Sequence, residues 1–374
     1  MTKVMTVVGT RPEIIRLSRV ISRLDETVDH VLVHTGQNWD PMLSDVFFEE
    51  LELRKPDRFL GVDTSSLGRV LGGVLAGVEE AIQDECPDAL LVLGDTNSCI
   101  AALMARRMKV PVYHMEAGNR CFDLNVPEET NRRMVDHISD FNLVYTEHAR
   151  RNLLAEGLHP RRIMHTGSPM REVLEHYRPK IDASTVLDRL GLSAGGYFLA
   201  SAHREENVDD PRRLGHLLDC LRAVRDRWGL PVLVSTHPRT RKRLEMRADN
   251  PSSLDGIVFH EPFGFFDYVH LQMKAKCTLS DSGTISEESA ILGFPAVTLR
   301  DSIERPEALD AGTIMLAGLD TSGLIEVIDM TYDIDSLRSA PQDYAVGDTS
   351  SRVVRFLLST VRRHHNWAGV RTVA

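Results

Sequence analysis

The sequence has no long apolar run and neither of the two common nucleotide-binding glycine motifs. Because no apolar stretch approaches the roughly 18 residues of a membrane-spanning helix, we expect no membrane partner. No G-x-G-x-x-G follows an apolar run and no G-x-x-x-x-G-K-S/T occurs, so a dinucleotide fingerprint and a P-loop are both excluded. We therefore expect neither nicotinamide chemistry nor a bound cofactor.

The five cysteines include no C-x-x-C pair, and their number is odd. Such a set predicts neither a disulfide framework nor a zinc site. The triplet Asp333-Ile334-Asp335 follows no strand signal, and without a second cluster of ligands it implies no metal. The amino terminus lacks the apolar core of a signal peptide, because the run from Val4 to Val8 stops at Gly9. We expect a cytoplasmic protein.

Size and charge limit the possible functions further. With 374 residues, of which 42% are hydrophobic, the chain is long enough for two domains with separate cores. The formal net charge of -10 argues against nucleic acid as a partner. Arginines nevertheless stand at several strand ends, and a locally basic cleft on an acidic body would suit an anionic small ligand. The alternative is that these arginines are ordinary solvated surface residues.

Short apolar runs that end on a polar group recur along the chain, and they predict buried parallel strands alternating with amphipathic helices. The predicted strands begin at residues 4, 31, 89, 110, 142, 162, 197, 232, 257, 277 and 296. We predict an α/β chain of two Rossmann-like doubly wound domains that face each other across a cleft. Residues 1–170 and 171–349 form the domains, with Ser168 to Ser184 as linker, and a helix at 350–366 packs back on the first domain.

Polar groups at the strand ends are site candidates, because open parallel sheets bind ligands outside the carboxyl ends of their strands. These groups are Arg11, Asp95, Glu116, His203, Arg204, His237 and Ser282. The N–H groups of Ser282 and Gly283, before the helix ISEESAIL, are expected to bind phosphate, and Glu288 in that helix could accept from a ribose diol. The alternative is that Asp281 and Ser282 only cap the helix.

Three carboxylates in the first half suggest acid–base chemistry: Asp95, Glu116 and Glu128. Arg132 follows Glu128 at i+4, and we predict that it binds one carboxylate while a more desolvated neighbour keeps a proton. The alternatives are that Asp95 caps a helix and that Glu128 and Arg132 form a surface ion pair. His203 would add a titratable donor, or only an orienting hydrogen bond.

Seven motifs, taken together, resemble the non-hydrolysing UDP-N-acetylglucosamine 2-epimerases over about residues 3 to 365. They are GTRPEIIRLSRV, GDTNSC, HMEAGNR, PEETNR, SAHREEN, DSGTISEE and ERPEALDAGT. The resemblance implies a glycosyltransferase-B type fold, a homodimer, and interconversion of UDP-GlcNAc and UDP-ManNAc. The implied mechanism is anti elimination of UDP and its re-addition to 2-acetamidoglucal. The segments HTGQNWD, MEAGNRCFD and VPEETNRRMVDHISD resemble more closely the subgroup of UDP-N-acetyl-L-fucosamine synthases, which epimerise C2 of a 6-deoxy sugar nucleotide, and that activity is the alternative.

The resemblance also implies roles for individual residues. Acid–base chemistry would fall to Asp95, Glu116 and Glu128, with Arg132 beside them. Arg11, His203, Ser282 and Gly283 would hold the diphosphate, Glu288 the ribose, Arg305 the phosphate and sugar region, and the segment near Phe265 the uracil. Gln37 lies in HTGQNWD, the segment where the family binds a second UDP-GlcNAc as effector. The amino-acid sequence of this segment differs here from the one usual in the family. Arg16 stands where the family usually has lysine.

Two other classes of function stay open at this point. A UDP-sugar glycosyltransferase could share the architecture, although transfer to an acceptor would leave the three carboxylates unexplained. A sensor that binds a UDP-sugar without turnover is the second. Deuterium incorporation at C2 from heavy water, in the absence of an acceptor, would separate an epimerase from both.

Overall fold

The computed structural model describes residues 1–37, 47–246, 254–303, 305–332 and 340–370. The chain divides into two compact units. Unit 1 comprises Met1–Glu175 and Gln342–Ala374, and unit 2 comprises His176–Pro341. The second crossing of the chain therefore returns its last helix to unit 1.

Each unit is built on one parallel β-sheet. The strands are β1 (Lys3–Val8), β2 (Asp29–His34), β3 (Arg58–Phe59), β4 (Ala89–Leu93), β5 (Val112–Met115), β6 (Phe141–Val144), β7 (Ile163–His165), β8 (Phe198–Ser201), β9 (Val232–Ser235), β10 (Ile257–His260), β11 (Thr278–Ser280), β12 (Ala296–Thr298) and β13 (Met315–Leu316). Unit 1 has the order β3-β2-β1-β4-β5-β6-β7, and unit 2 has the order β10-β9-β8-β11-β12-β13. The predicted pair of doubly wound sheets is confirmed.

Helices connect the strands in both units. They are α1 (Arg11–Thr27), α2 (Leu67–Glu85), α3 (Ala101–Arg107), α4 (Pro127–Ile138), α5 (Glu147–Ala155), α6 (Met170–Asp182), α7 (Val186–Leu190), α8 (Glu205–Val208), α9 (Pro211–Trp228), α10 (Pro238–Glu245), α11 (Phe265–Lys274), α12 (Ile285–Leu292), α13 (Pro306–Asp310), α14 (Thr321–Tyr332) and α15 (Thr349–Ala368). Short 3₁₀ turns lie at Asn97–Ile100, Pro160–Arg162 and Gln342–Tyr344.

The apolar runs that predicted the strands form the two cores. In unit 1, β1 aligns with β2 from Lys3 to Val8 and with β4 from Val4 to Thr6, and its apolar side chains are fully buried. In unit 2, Phe198, Leu279 and Val297 of neighbouring strands lie in one buried cluster. Strands buried on both faces are mainly apolar, and site candidates such as Asp95 and Glu116 come just after the strands.

The last helix belongs to the core of unit 1. α15 packs against α1, and its Thr360 shares a hydrogen bond with the Tyr113 hydroxyl of β5 at 2.7 Å. Its first turn is held by Glu172, which accepts from the Ser350 N–H at 2.8 Å. The helix therefore fastens the returning chain to the sheet.

Some local predictions were wrong. The predicted linker from Ser168 to Ser184 is largely the helix α6, which contains Pro179, and the boundary between the units falls inside it, after Glu175. The prolines suggested a break, but a buried apolar stripe that includes Val173, Leu174 and Tyr177 favours the helix instead. The two-residue strands β3 and β13 were not predicted, because they are too short to show a periodic pattern.

Among the helices that the structure describes, none combines the length and apolar character required to cross a lipid bilayer.

Candidate active site

Both sheets have a topological switch point, where ligands bind in open α/β sheets. It lies between β1 and β4 in unit 1, and between β8 and β11 in unit 2. Most of the predicted site residues follow these strands or their neighbours. Each switch point is described by itself below.

In unit 1, Arg132 of α4 binds Asp95, the residue that follows Gly94 after β4. The guanidinium donates to Asp95 Oδ2 from Nε at 3.0 Å and from Nη2 at 2.6 Å. The Asn131 side chain donates to the Asp95 carbonyl at 2.9 Å, so α4 is attached to this loop at two adjacent positions. The helix-cap alternative for Asp95 is wrong, because Thr96 is the residue at the N-cap of the 3₁₀ turn.

The alternative in which Arg132 forms a surface ion pair with Glu128 is also wrong. Arg132 instead donates from Nη1 to Glu129 Oε2 at 3.1 Å, and Arg133 donates from Nε to Glu129 Oε1 at 2.9 Å. Burial alone would raise the pKa of Glu129, but hydrogen bonds from the Cys121 N–H and from Arg133 outweigh it, and the pKa is lowered. Glu128 is half-buried and has no hydrogen bond or ion pair within the described part of the chain.

Glu116 follows β5 and adopts an unusual backbone conformation. Its φ of 65° lies in the left-handed region, which costs a residue with a Cβ about 1 kcal/mol or more. Its Oε2 accepts from Arg16 Nη1 at 3.0 Å, and both side chains are almost buried, at 12% and 3% exposure. A Cβ at Gly94 would lie 4.0 Å from the same oxygen, so Glu116 reaches over the turn that carries Asp95.

Glu13 was missed as a member of this site. Its Oε2 accepts from the N–H groups of Gly9 and Thr10, at 2.5 and 3.0 Å, and its Oε1 accepts from the Thr96 and Ser98 hydroxyls. Burial raises the pKa of the Glu13 carboxyl, and the hydroxyl hydrogen bonds oppose that rise. One buried carboxylate thus joins the loop after β1 to the loop after β4. Its position in the first turn of α1 was the available signal.

The other predicted residues of unit 1 lie beside the same loops. The Arg11 guanidinium carbon is 4.0 Å from the centre of the Phe47 ring. Gln37 donates from Nε2 to Thr96 Oγ1 at 3.1 Å, which links the predicted effector segment to the residue next to Asp95. The remainder of that segment, Asn38 to Asp40, lies outside the described residues.

In unit 2, two loops meet at the switch point. Asp281, directly after β11, is fully buried and accepts from the N–H groups of His203 and Arg204, at 3.1 and 3.0 Å. His203 Nδ1 is 3.3 Å from Asp281 Oδ1. Asp281 does not cap α12, since the residue at that N-cap is Thr284. The cap reading of Asp281 is therefore wrong.

Two arginines converge on Gly283. A Cβ at Gly283 would overlap Arg305 Nη1 and would lie 3.9 Å from Arg204 Nη2. Arg305 is 6% exposed, and its Nε is 3.4 Å from Glu287 Oε2. The absence of a side chain at Gly283 is thus what allows the Arg305 guanidinium to approach this turn, whereas Arg204 lies at an ordinary contact distance.

The expected pair of free N–H groups at Ser282 and Gly283 is only partly formed. The Ser282 N–H already donates to Ser280 Oγ at 3.1 Å, and the Ser282 hydroxyl lies 3.0 Å from that of Thr284. For the Gly283 N–H, no acceptor is found within the described residues. The groups of this turn that could bind an anion are therefore one N–H and the side chains of two arginines.

Glu288 is held by a residue that sequence reasoning missed. Gln272 of α11, 1% exposed, donates from Nε2 to Glu288 Oε2 at 2.7 Å. One carboxylate oxygen is thereby fixed, and Glu288 remains 7% exposed. No local pattern could link the two residues, because they lie on different helices.

The last two candidates of unit 2 are His237 and Phe265. His237 accepts through Nδ1 from the Arg239 N–H at 3.3 Å, which caps α10, and its ring is 5.8 Å from that of His203. Phe265 begins α11, is 4% exposed, and packs against Phe266. His237 therefore lies near the switch-point residues, whereas the Phe265 ring is largely covered.

Two further sequence features lie outside the described residues: Glu304 of the ERPE motif and the triplet from Asp333 to Asp335. Within the described ranges, no group of three or more His, Cys, Asp or Glu residues has an arrangement that could hold a metal ion.

A family model described as UDP-N-acetylglucosamine 2-epimerase matches residues 22–358. The structure of UDP-N-acetylglucosamine 2-epimerase from Rickettsia bellii is 45% identical, with 98% of each chain covered and a TM-score of 0.91. The structure of the Methanocaldococcus jannaschii UDP-GlcNAc 2-epimerase in complex with UDP-GlcNAc and UDP is 34% identical, covers 96% of this chain and 100% of the other, and has a TM-score of 0.90.

Two proteins whose names give another substrate or activity are also similar. The UDP-2,3-diacetamido-2,3-dideoxy-D-glucuronate 2-epimerase of Pseudomonas aeruginosa is 33% identical over 364 residues, which is 95% of this chain and 99% of that protein. A glycosyltransferase from Rickettsia africae has a TM-score of 0.56 at 11% identity over 99% of both chains. The latter likeness concerns the fold alone and agrees with a glycosyltransferase-B type architecture.

Proposed function

The chain belongs to the UDP-N-acetylglucosamine 2-epimerase family, and from this premise we propose that it interconverts UDP-GlcNAc and UDP-ManNAc as an isomerase. The proposed reaction is an anti elimination of UDP followed by its re-addition. In the first half, a base removes the C2 proton, the C–H electron pair forms the C1=C2 double bond of 2-acetamidoglucal, and the C1–O pair leaves with UDP. In the second half, C2 is protonated on its other face and a diphosphate oxygen adds to C1.

The observation that carries this proposal is a pair of carboxylates at adjoining strand ends of unit 1, each bound by a buried arginine. Asp95 is bound by Arg132, and Glu116 is bound by Arg16. The arginines orient the carboxylates and compensate their charge, so that each carboxylate has a defined position for transfer of the C2 proton. The strained backbone of Glu116 is typical of functional sites and has no evident role in packing.

Glu128 completes the proposed acid–base set. It is half-buried and has no partner within the described residues, so a proton transfer at this carboxylate would break no existing ion pair. Two faces of C2 require either two acid–base groups or a rotated intermediate. We propose that Asp95, Glu116 and Glu128 share these roles, with Arg132 controlling the charge at Asp95.

Unit 2 supplies the groups proposed to bind UDP. The C2 proton is not acidic by itself, so its removal succeeds only as the C1–O bond breaks and negative charge collects on the diphosphate. Arg204, Arg305, His203 and the Gly283 N–H would stabilise that charge, with Ser282 beside them. Glu288 would accept from the ribose, and the backbone near Phe265 would contact the uracil. In the proposed reaction Arg11 and His237 also contact the substrate.

Incubation of the protein with UDP-GlcNAc in heavy water tests the proposal. An epimerase incorporates deuterium at C2 of both sugar nucleotides without any acceptor, and mass spectrometry and NMR detect it. Release of UDP only when an acceptor sugar is added would support a glycosyltransferase. Tight binding of UDP-GlcNAc without exchange would support a sensor and contradict the proposal.

The identity of the hexosamine is a second question for the same assay. The family contains a relative named for a different UDP-sugar, the glucuronate derivative of Pseudomonas aeruginosa, at 33% identity. The resemblance to fucosamine synthases makes C2 epimerisation of the 6-deoxy talo sugar nucleotide, giving UDP-N-acetyl-L-fucosamine, the alternative. Comparison of kcat/KM for UDP-GlcNAc and the 6-deoxy nucleotide decides: a higher value for the latter would establish the alternative.

We also propose a homodimer in the cytoplasm, as the resemblance and the five cysteines, none of which forms a disulfide, favour. Light scattering measures the mass in solution and tests the dimer. For regulation, the contact from Gln37 to Thr96 connects the effector segment to the loop that carries Asp95. A sigmoidal dependence of rate on UDP-GlcNAc that becomes hyperbolic in Gln37→Ala would support an effector role for this segment.

A further inference from the structure

A fully buried carboxylate, Asp281, joins the two loops that carry the proposed diphosphate ligands of unit 2. It lies at the end of β11, directly before Ser282 and Gly283, and its side chain crosses to the loop after β8. None of the roles assigned so far includes it. Its environment is therefore a question separate from the roles of its neighbours.

Asp281 accepts hydrogen bonds from three different groups. The His203 N–H donates at 3.1 Å, the Arg204 N–H at 3.0 Å and the Asn207 amide at 3.1 Å. A buried carboxylate is stable only when such donors surround it, and several charge-assisted hydrogen bonds to backbone groups hold it in one orientation. The turn at His203 and Arg204 consequently has a fixed position relative to β11.

This position determines which groups of the turn remain for a ligand. The two backbone N–H groups point at Asp281, so the side chains, and not the backbone, are the groups left to bind an anion. His203 Nδ1 is 3.3 Å from Asp281 Oδ1, and Nε2 is therefore the ring nitrogen that faces away from the carboxylate. Arg204 reaches Gly283, where Arg305 also arrives.

We propose that Asp281 is a positioning residue for the diphosphate of the bound nucleotide, acting by holding His203 and Arg204 in register with Gly283. The inference rests on the proposed function, because it names the ligand as a nucleoside diphosphate. It predicts that the diphosphate, and not the nucleoside, loses its binding energy when Asp281 is changed.

The test compares two ligands in two variants. Calorimetry measures the dissociation constant of UDP, and ligand-observed NMR measures that of uridine, for the unaltered protein, Asp281→Asn and Thr278→Val. Thr278 is a matched control, since it is fully buried on the same strand and its hydroxyl has no hydrogen-bond partner within the described residues. We expect Asp281→Asn to weaken UDP roughly 10- to 100-fold and uridine by less than about threefold. Thr278→Val should leave both unchanged.

The outcomes separate the inference from the function on which it depends. A parallel loss of UDP and uridine affinity in Asp281→Asn would show a general structural role and overturn the inference alone. Unchanged UDP affinity would overturn it as well. If the unaltered protein binds no UDP, the proposed function fails, and the inference fails with it.

A measurement on the unaltered protein covers the case in which Asp281→Asn does not fold. In protein labelled with ¹⁵N-histidine, with His203 assigned through His203→Asn, the nitrogen shifts report which ring nitrogen carries the proton. Asp281 places an acceptor beside Nδ1, so we expect a proton there. A His203 ring protonated only at Nε2 would contradict the proposed arrangement.

Discussion

The two units share one strand order around the switch point but differ in which charged groups are the candidate reactive groups there. In unit 1, acids are the candidate reactive groups, and buried arginines bind them, as in the pairs Arg132–Asp95 and Arg16–Glu116. In unit 2, arginines are the candidate ligands at Gly283, and buried acids support them, as Glu287 does for Arg305. The same sheet topology thus positions the proposed proton-transfer groups in one unit and the proposed anion-binding groups in the other.

The two units also connect the loops at their switch points in the same way, with different residues. Each has one buried carboxylate that joins the loop after its first strand to the loop after its fourth. In unit 1 this is Glu13, which reaches from α1 to hydroxyl groups, and in unit 2 it is Asp281, which reaches from β11 to backbone N–H groups. In both units a buried carboxylate therefore holds the two switch-point loops together, whereas the proposed chemistry of the groups on those loops differs.

Among the residues that support the candidate reactive groups, the largest effect is expected from removing the arginine that binds two acids in unit 1. Arg132→Met leaves Asp95 and the buried Glu129 without their shared counter-ion, and kcat should fall roughly 100- to 1,000-fold. Arg133→Met is the matched control, because its half-exposed guanidinium pairs with the same Glu129, and we expect a change below about threefold. Equal losses in both variants would mean that total charge, and not the contact with Asp95, matters.

A smaller effect is expected from adding one methyl group in unit 2. Gly283→Ala would displace Arg305, and we expect UDP affinity to fall about tenfold, with little change in thermal stability. Gly347→Ala serves as control, since its new Cβ would meet Glu175 only at an ordinary 3.6 Å. Unchanged calorimetric affinity for UDP in Gly283→Ala would remove Arg305 from the diphosphate site.

Nucleotide discrimination measures the support that Gln272 gives to Glu288. Gln272→Met keeps the volume but removes the donor to Glu288, and the preference for UDP over 2′-deoxy-UDP should decrease about fivefold. The exposed Gln83→Met in α2 should leave the preference unchanged. If Glu288→Gln lowers the preference while Gln272→Met does not, Glu288 binds ribose without needing Gln272.

The smallest effect is expected at Arg16, which pairs with Glu116. Arg16→Lys keeps the positive charge that the family usually carries there, and we expect kcat to change by about threefold or less. The exposed Arg23→Lys in α1 is the control. A loss as large as that of Arg132→Met would assign Arg16 a role that depends on the guanidinium geometry.

The fold could be predicted from the sequence largely because short apolar runs mark most of the buried strands. The apolar runs predicted eleven of the strands, whereas the two-residue strands β3 and β13 and the helix α6 were missed. In those places the signal was either too short or masked by prolines. The length of the periodic pattern, and not its position in the chain, determined whether an element could be predicted. The ligand site that the residues after the strands suggest stays a prediction.

Partners of charged side chains were predicted less well than their positions. Helix spacing suggested a surface ion pair of Arg132 with Glu128 as one alternative, but Arg132 binds Asp95 and Glu129. Helix spacing predicts only contacts along one helix, and a buried arginine with several acids nearby is bound by those that tertiary packing brings to it. Glu13, Asp281 and Gln272 were missed for the same reason, because their partners lie on other elements.

One measurement most directly tests the proposal that unit 1 carries out proton transfer and unit 2 binds UDP. In Glu116→Gln, the exchange of deuterium into C2 of UDP-GlcNAc should fall roughly 1,000-fold or more, while the dissociation constant of UDP should stay within about threefold of that of the unaltered protein. These two results together would place proton transfer in unit 1 and UDP binding elsewhere. Exchange at the normal rate in Glu116→Gln, or a loss of UDP affinity parallel to the loss of exchange, would contradict the account.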